Sequence, residues 1–160
     1  MKKQILNQAI NDLSFAIMHL SQDIKFEIYK ETTNNFEIMK NDYEKTKILK
    51  VSSSGSENSI YKNKYINILA RVFHDKIHLK HNLNFSKDDE ISVARIQFAI
   101  VKNFLLKHTT YENATNAAML LFIDIKDQVD YYSKYNKFVK NQYKFVKKRF
   151  YKYLKKENKC

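Results

Sequence analysis

Proline is absent from this chain and glycine occurs once, at Gly55. Tight hairpins, Gly-rich phosphate loops and most β-rich architectures rely on those two residues, so they are poorly served here. Helices need neither. A chain of 160 residues buries roughly two-thirds of its unfolded surface when it folds as one unit. The expectation is an all-α, single-domain helical bundle spanning residues 1–160, with about five to six helices. The abundance of Lys, Asn, Ile, Tyr and Phe without any Trp has the look of AT-rich coding, and it is discounted as a functional signal.

Apolar residues recur at three- and four-residue steps from Ile5 and Leu6 through Leu13, Ile17 and Leu20 to Ile24, which predicts a first helix. The polar run Thr32-Thr33-Asn34-Asn35 breaks it, and Phe36, Met39, Tyr43 and Ile48 outline a second. Residues 52–59 (SSSGSENS) have the composition of an exposed loop. The helical period restarts at Tyr61 and runs through Ile68, Val72 and Ile77 into a histidine-rich stretch. Asn82, Asn84 and Ser86 signal a turn, and Ser86 followed by Asp89 forms a capping box that starts a helix at Lys87. Thr109 with Glu112 marks the next start, and the stripe Ala114, Ala117, Leu121, Ile125 and Val129 flows without a breaker into the C-terminal tail.

The chemistry concentrates in Phe73-His74-Asp75-Lys76-Ile77-His78. On a helix, His74 and His78 stand one turn apart on one face, with Asp75 beside them. The polar turn that follows lets the chain reverse, and Glu90, one turn into the next helix, faces back towards the imidazoles. Nitrogen and oxygen donors of this kind suit zinc, iron or manganese, and without thiolates the pattern favours an open site over a closed structural one. The candidate ligands are His74, Asp75, His78 and Glu90. Asp124 is a further polar intrusion on the inner side of its helix. It reads either as a buried hydrogen-bond anchor or as a group that orients a ligating imidazole.

His74-Asp75-Lys76-Ile77-His78, then eleven residues, then Glu90, resembles the HDxxH-(11 residues)-E motif of the coenzyme Q (ubiquinone) biosynthesis protein four family. That resemblance covers one segment. It implies a helical fold, zinc on those four residues, a nearby apolar groove for an isoprenoid quinone precursor, association with a membrane face, and a role in oxidative removal of a ring carboxyl group. Where the family usually carries glycines this chain has Asn82 and Asp89, and where it often has a downstream acid this chain has Gln97. Two other patterns use the same residues. His19, His74, Asp75 and Asp124 follow the order of donors in HD-type metal-dependent phosphohydrolases. Arg71 and His78 satisfy the loose R-x(4–6)-H pattern of HEPN-type ribonucleases.

Residues 131–160 carry Lys134, Lys137, Lys140, Lys144, Lys147, Lys148, Arg149, Lys152, Lys155, Lys156 and Lys159 against the single acid Glu157. Nearly all of the net charge of +12 resides there. Interleaved Phe145, Phe150, Tyr153 and Leu154 make this a basic amphipathic C-terminal helix. Its apolar side needs a partner, which can be the protein's own core, an anionic membrane surface, or nucleic acid. The single cysteine, Cys160, is the last residue, so no internal disulfide forms. No run approaches the twenty apolar residues of a membrane span, and the N-terminus lacks the apolar core of a signal peptide. The expected location is cytoplasmic, at most peripheral to a membrane.

Overall fold

Six α-helices and one two-stranded sheet build the described part of the chain: α1 (Lys2–Leu20), β1 (Phe26–Tyr29), α2 (Phe36–Thr46), β2 (Leu49–Ser52), α3 (Lys64–His81), α4 (Lys87–Leu105), α5 (Tyr111–Tyr135) and α6 (Gln142–Glu157). The structure is a computed structural model, and it describes residues 1–55, 58–61 and 63–157. The first apolar stripe buries Leu6, Ala9, Leu13 and Ile17 of α1. Around it the main core gathers Phe73 and Ile77 of α3, Val101 and Leu105 of α4, Leu120 and Leu121 of α5, and Phe150 of α6. Helix α5 is the central element and packs against α1, α4 and α6. The mostly helical single domain expected from the sequence is the fold observed.

Three local differences from expectation have physical causes. Helix α1 ends at Leu20 instead of continuing towards Ile24, where the Ser21 hydroxyl donates to the Ile17 carbonyl (2.7 Å) and competes with the helical ladder. Phe26-Glu27-Ile28-Tyr29 then forms a strand parallel to β2, in the register Phe26↔Leu49 to Tyr29↔Ser52, with α2 as the crossover. Three of its four residues are aromatic or β-branched and suit a strand, but four residues are too few to reveal a period of two. Leu49 and Val51 of β2 close a second small core with Phe36, Met39, Ile68 and Val72, so the sheet braces the outer side of α3.

Helix endings are the second difference. With one glycine available, the left-handed residues that stop helices are Lys47 (φ 57°), Asn82 (φ 50°) and Asn136 (φ 48°). Asparagine tolerates this conformation better than most residues. Lys47 ends α2 before Ile48, which therefore falls outside that helix. Asn136 divides the tail, so residues 131–160 are not one helix: α5 runs on to Tyr135, residues 136–141 connect, and α6 follows. The apolar side of α6 is taken up by the core through Val146, Phe150 and Leu154. Cys160 lies outside the described residues.

The third concerns caps and the serine-rich loop. Ser86 caps α4 as expected (Asp89 N–H to Oγ, 3.3 Å), but the capping box is not closed, since the Asp89 carboxylate accepts from the Asn84 amide (2.9 Å); Thr110 caps α5, one residue later than Thr109. Within 52–59, Ser52 belongs to β2, Ser54, Gly55 and Asn58 are exposed, and residues 56 and 57 lie outside the described residues. The Asn58 carbonyl accepts from the Tyr143 amide (2.7 Å), which ties this loop to the start of α6.

Candidate metal centre

The turn after α3 shapes the site. Asn82 in its left-handed conformation folds Leu83 back over His78, and the Leu83 amide donates to the His78 carbonyl (3.1 Å). The Leu83 carbonyl in return accepts from His78 Nδ1 (2.9 Å). Phe85 stands edge-on to the same ring, with centroids 5.0 Å apart, and Phe36 covers another side at 6.4 Å. His78 is fully buried. Helix α4 then starts at Lys87 so that its first turn meets the last two turns of α3, which brings in Glu90. A carboxylate in a first helical turn also benefits from the positive end of the helix dipole.

Three donors converge there. His74 Nε2 and His78 Nε2 are 3.0 Å apart, His74 Nε2 lies 3.1 Å from Glu90 Oε2, and His78 Nε2 lies 3.6 Å from Glu90 Oε1. Donors about 2.0–2.1 Å from one ion, at angles between octahedral and tetrahedral, stand roughly 2.9–3.4 Å from each other. Two of the separations fall in that range, and the third, to the other oxygen of the carboxylate, lies just outside it. Among the described residues this is the one group of three or more His, Cys, Asp or Glu donors gathered so closely.

The proton inventory makes the fit specific. A carbonyl can only accept, so His78 carries its hydrogen on Nδ1, facing Leu83. His74 Nδ1 donates in the same way to Gln97 Oε1 (3.0 Å). Both neutral rings therefore turn an unprotonated Nε2 towards a carboxylate. Three electron-rich atoms face one another, and a positive charge has to stand among them. In the metal-free protein a proton on His74 serves. Burial opposes the charged ring, but the Glu90 carboxylate outweighs it, with Asp75 and Gln97 adding to the effect, and raises the His74 pKa to about 9. Burial likewise opposes the Glu90 anion, yet the hydrogen bond from protonated His74, with the adjacent His78 imidazole adding to it, holds that carboxyl down at about 2.

Asp75 is placed differently from the other three candidates. One residue on from His74, it is rotated about 100° around the helix, off the face that His74 and His78 share. Its carboxylate is not part of the gathered trio. Instead Asp75 lines two adjoining cavities of about 350 and 430 Å³, both of which Thr32 also borders. Burial raises its pKa, against the opposing pull of His74 and His78.

The first cavity is lined by His74 and Glu90 on one side and by Tyr61, Arg71, Asp124 and Gln128 on the other. Asp124 is a buried anchor: it accepts from Gln128 Nε2 (2.6 Å) and from Tyr61, and its influence on His74 is through charge. Burial pushes its pKa up to about 7. Arg71 donates to the Ser52 carbonyl (2.7 Å), which secures its guanidinium beside the cavity. His19 is exposed on α1 and packs on Phe15 and Phe104, so the phosphohydrolase order of donors is not assembled in space. His81 is exposed as well. Sequence reasoning gave no role to the Leu83 carbonyl and saw Gln97 only as a departure from a family pattern. The available signal was a glutamine seven residues after Glu90, on the apolar side of the same helix.

No protein-family model, no curated protein and no solved structure matches this chain.

Proposed function

We propose that this chain is a divalent-metal protein in which His74, His78 and Glu90 hold one ion, with Asp75 at its edge, on the wall of a polar cavity. The observation that carries this reading is the meeting of two imidazole Nε2 atoms and one carboxylate, the Nδ1 atoms of both rings being engaged by Leu83 and Gln97. Two imidazoles and one carboxylate suit zinc in an open site, and iron or manganese use similar donors. When bound, such an ion supplies Lewis acidity to a carboxyl or phenolic oxygen.

The spacing of the donors supports a function similar to the coenzyme Q biosynthesis protein four family, with an isoprenoid quinone precursor as ligand. Arg71 offers a positive charge to an anionic group in the cavity beside His74 and Glu90. The adjoining cavity presents Ile38, Met39 and Phe85 to an apolar chain. Peripheral contact with an anionic membrane surface is part of the reading. Phe138, Tyr132 and Tyr135 are exposed among Lys134, Lys137 and Lys140, and no helix among the described residues is long and apolar enough to cross a bilayer.

Organic extraction of the purified protein followed by mass spectrometry tests the ligand class. A prenylated aromatic acid or quinone that is retained by wild type supports the reading. An extract without lipid, together with metal-dependent cleavage of bis(p-nitrophenyl) phosphate, contradicts it in favour of phosphoester hydrolysis.

A further inference from the structure

Gln97 has no place among the ligands, yet it is the most constrained polar side chain near them. It lies on α4 seven residues beyond Glu90, two turns along the same face, and is fully enclosed. Its Oε1 accepts from His74 Nδ1 at 3.0 Å, while its Nε2 is buried without a hydrogen-bond partner. A leucine would fill similar space and leave no unpaired donor in the core, so packing does not account for an amide here. What the amide does provide is an acceptor on the far side of the ring from Glu90.

We infer that Gln97 is a positioning residue for the metal centre: it holds the His74 hydrogen on Nδ1, and thereby keeps the Nε2 lone pair directed at the ion. The inference rests on the metal reading proposed above. Without an acceptor at this point, the ring is free to carry its hydrogen on Nε2 and donate it to Glu90 Oε2, 3.1 Å away, which would occupy the donor that the ion needs. His78 has a backbone carbonyl for the same task, and no substitution can remove that one. The half of the pair whose acceptor is a side chain is thus His74. An amide accepts this hydrogen less strongly than a carboxylate would, so it orients the imidazole while strengthening it as a base only modestly. Replacing it by glutamate should tighten the grip on the ion, and replacing it by leucine should loosen it.

The test is Zn²⁺ affinity, measured by competition with a chromophoric chelator, for the full chain as wild type, Gln97→Leu and Gln97→Glu, alongside ring ¹H–¹⁵N spectra of the zinc-loaded proteins. The expected order of affinity is Leu below Gln below Glu, with Gln97→Leu weaker than wild type by about 10- to 100-fold. In wild type the His74 hydrogen is expected on Nδ1 and the ion on Nε2. A core-packing role predicts instead that buried glutamate is at least as damaging as leucine, so Gln97→Glu decides the matter even where Gln97→Leu folds poorly. Equal affinities, or glutamate weaker than wild type, overturn the role of Gln97 and leave the metal centre standing. Wild type that takes up no Zn²⁺ overturns both.

Discussion

Two pairs of histidines are gathered in this protein, one on a shared pair of phenylalanines and one on a single helix face, and only the second is built to hold a cation. His19 of α1 and His108, just beyond α4, both stack on Phe15 and Phe104, at centroid distances between 4.4 and 5.6 Å, in an exposed aromatic patch. His74 and His78 share a helix face, have their outer nitrogens fixed by Gln97 and Leu83, and converge on Glu90. Imidazoles alone do not make the difference. It lies in the carboxylate and in the convergence of both Nε2 atoms upon it. His19 also has its Nδ1 against a carbonyl, that of Phe15 (2.9 Å), but among the described residues no carboxylate and no second imidazole stand against its Nε2.

The largest expected effect comes from His78→Ala. It removes a donor and empties a fully buried space beneath Phe36 and Phe85, and it should abolish metal uptake and cost roughly 2–4 kcal/mol of stability. His19→Ala is the control, expected to leave metal content unchanged and stability within about 0.5 kcal/mol. Chemical denaturation with metal analysis checks both. Comparable losses in the two variants would erase the distinction between the pairs.

Glu90→Gln comes next. It keeps the shape but removes the charge that stabilises protonated His74, so the His74 pKa should fall from about 9 towards its ordinary 6.5. Metal affinity should fall by about 100-fold or more. An NMR titration of the ring reads the first, and chelator competition the second.

The metal-free protein should also show a characteristic pH profile. The folded-state pKa of His74 lies above its unfolded value of 6.5, so its contribution is complete below 6.5 and is lost as pH rises through about 9. That of Glu90 lies below its unfolded value of 4.5, so its contribution is complete above 4.5 and is lost as pH falls through about 2. The pair therefore stabilises most between pH 4.5 and 6.5. Melting temperatures across pH should show this plateau in wild type and a flatter curve in Glu90→Gln. Because an ion displaces the His74 proton, its affinity should rise about tenfold per pH unit until His74 is deprotonated.

Much of this was legible in the chain. The spacing of His74, His78 and Glu90 is enough to place three donors on two neighbouring helices, and Asn82 to Ser86 marked the turn between them. Helical periodicity located most of the core because each stripe spans several turns. Other features depend on contacts that no local pattern encodes. The parallel strands are four residues each and are paired across α2. The break at Asn136 turns on one residue adopting a left-handed conformation inside an otherwise continuous apolar stripe. Gln97 reads as an ordinary polar residue until His74 is seen against it.

The basic tail teaches the same lesson from charge, and carries the smallest predicted effect. Its lysines were plain in the sequence, but the apolar side of α6 is spent on the core through Val146, Phe150 and Leu154. Replacing the lysines at 152, 155 and 156 by glutamine should leave metal content unchanged and shift stability by no more than about 0.5 kcal/mol. Denaturation curves at low and high salt would reveal any larger role.

The metal content of the purified protein, determined by elemental analysis of wild type beside His78→Ala, tests the metal centre most directly. Close to one divalent ion per chain is expected in wild type and little in the variant. Equal metal in both, or none in wild type after incubation with Zn²⁺, Fe²⁺ or Mn²⁺ and removal of excess, would contradict it.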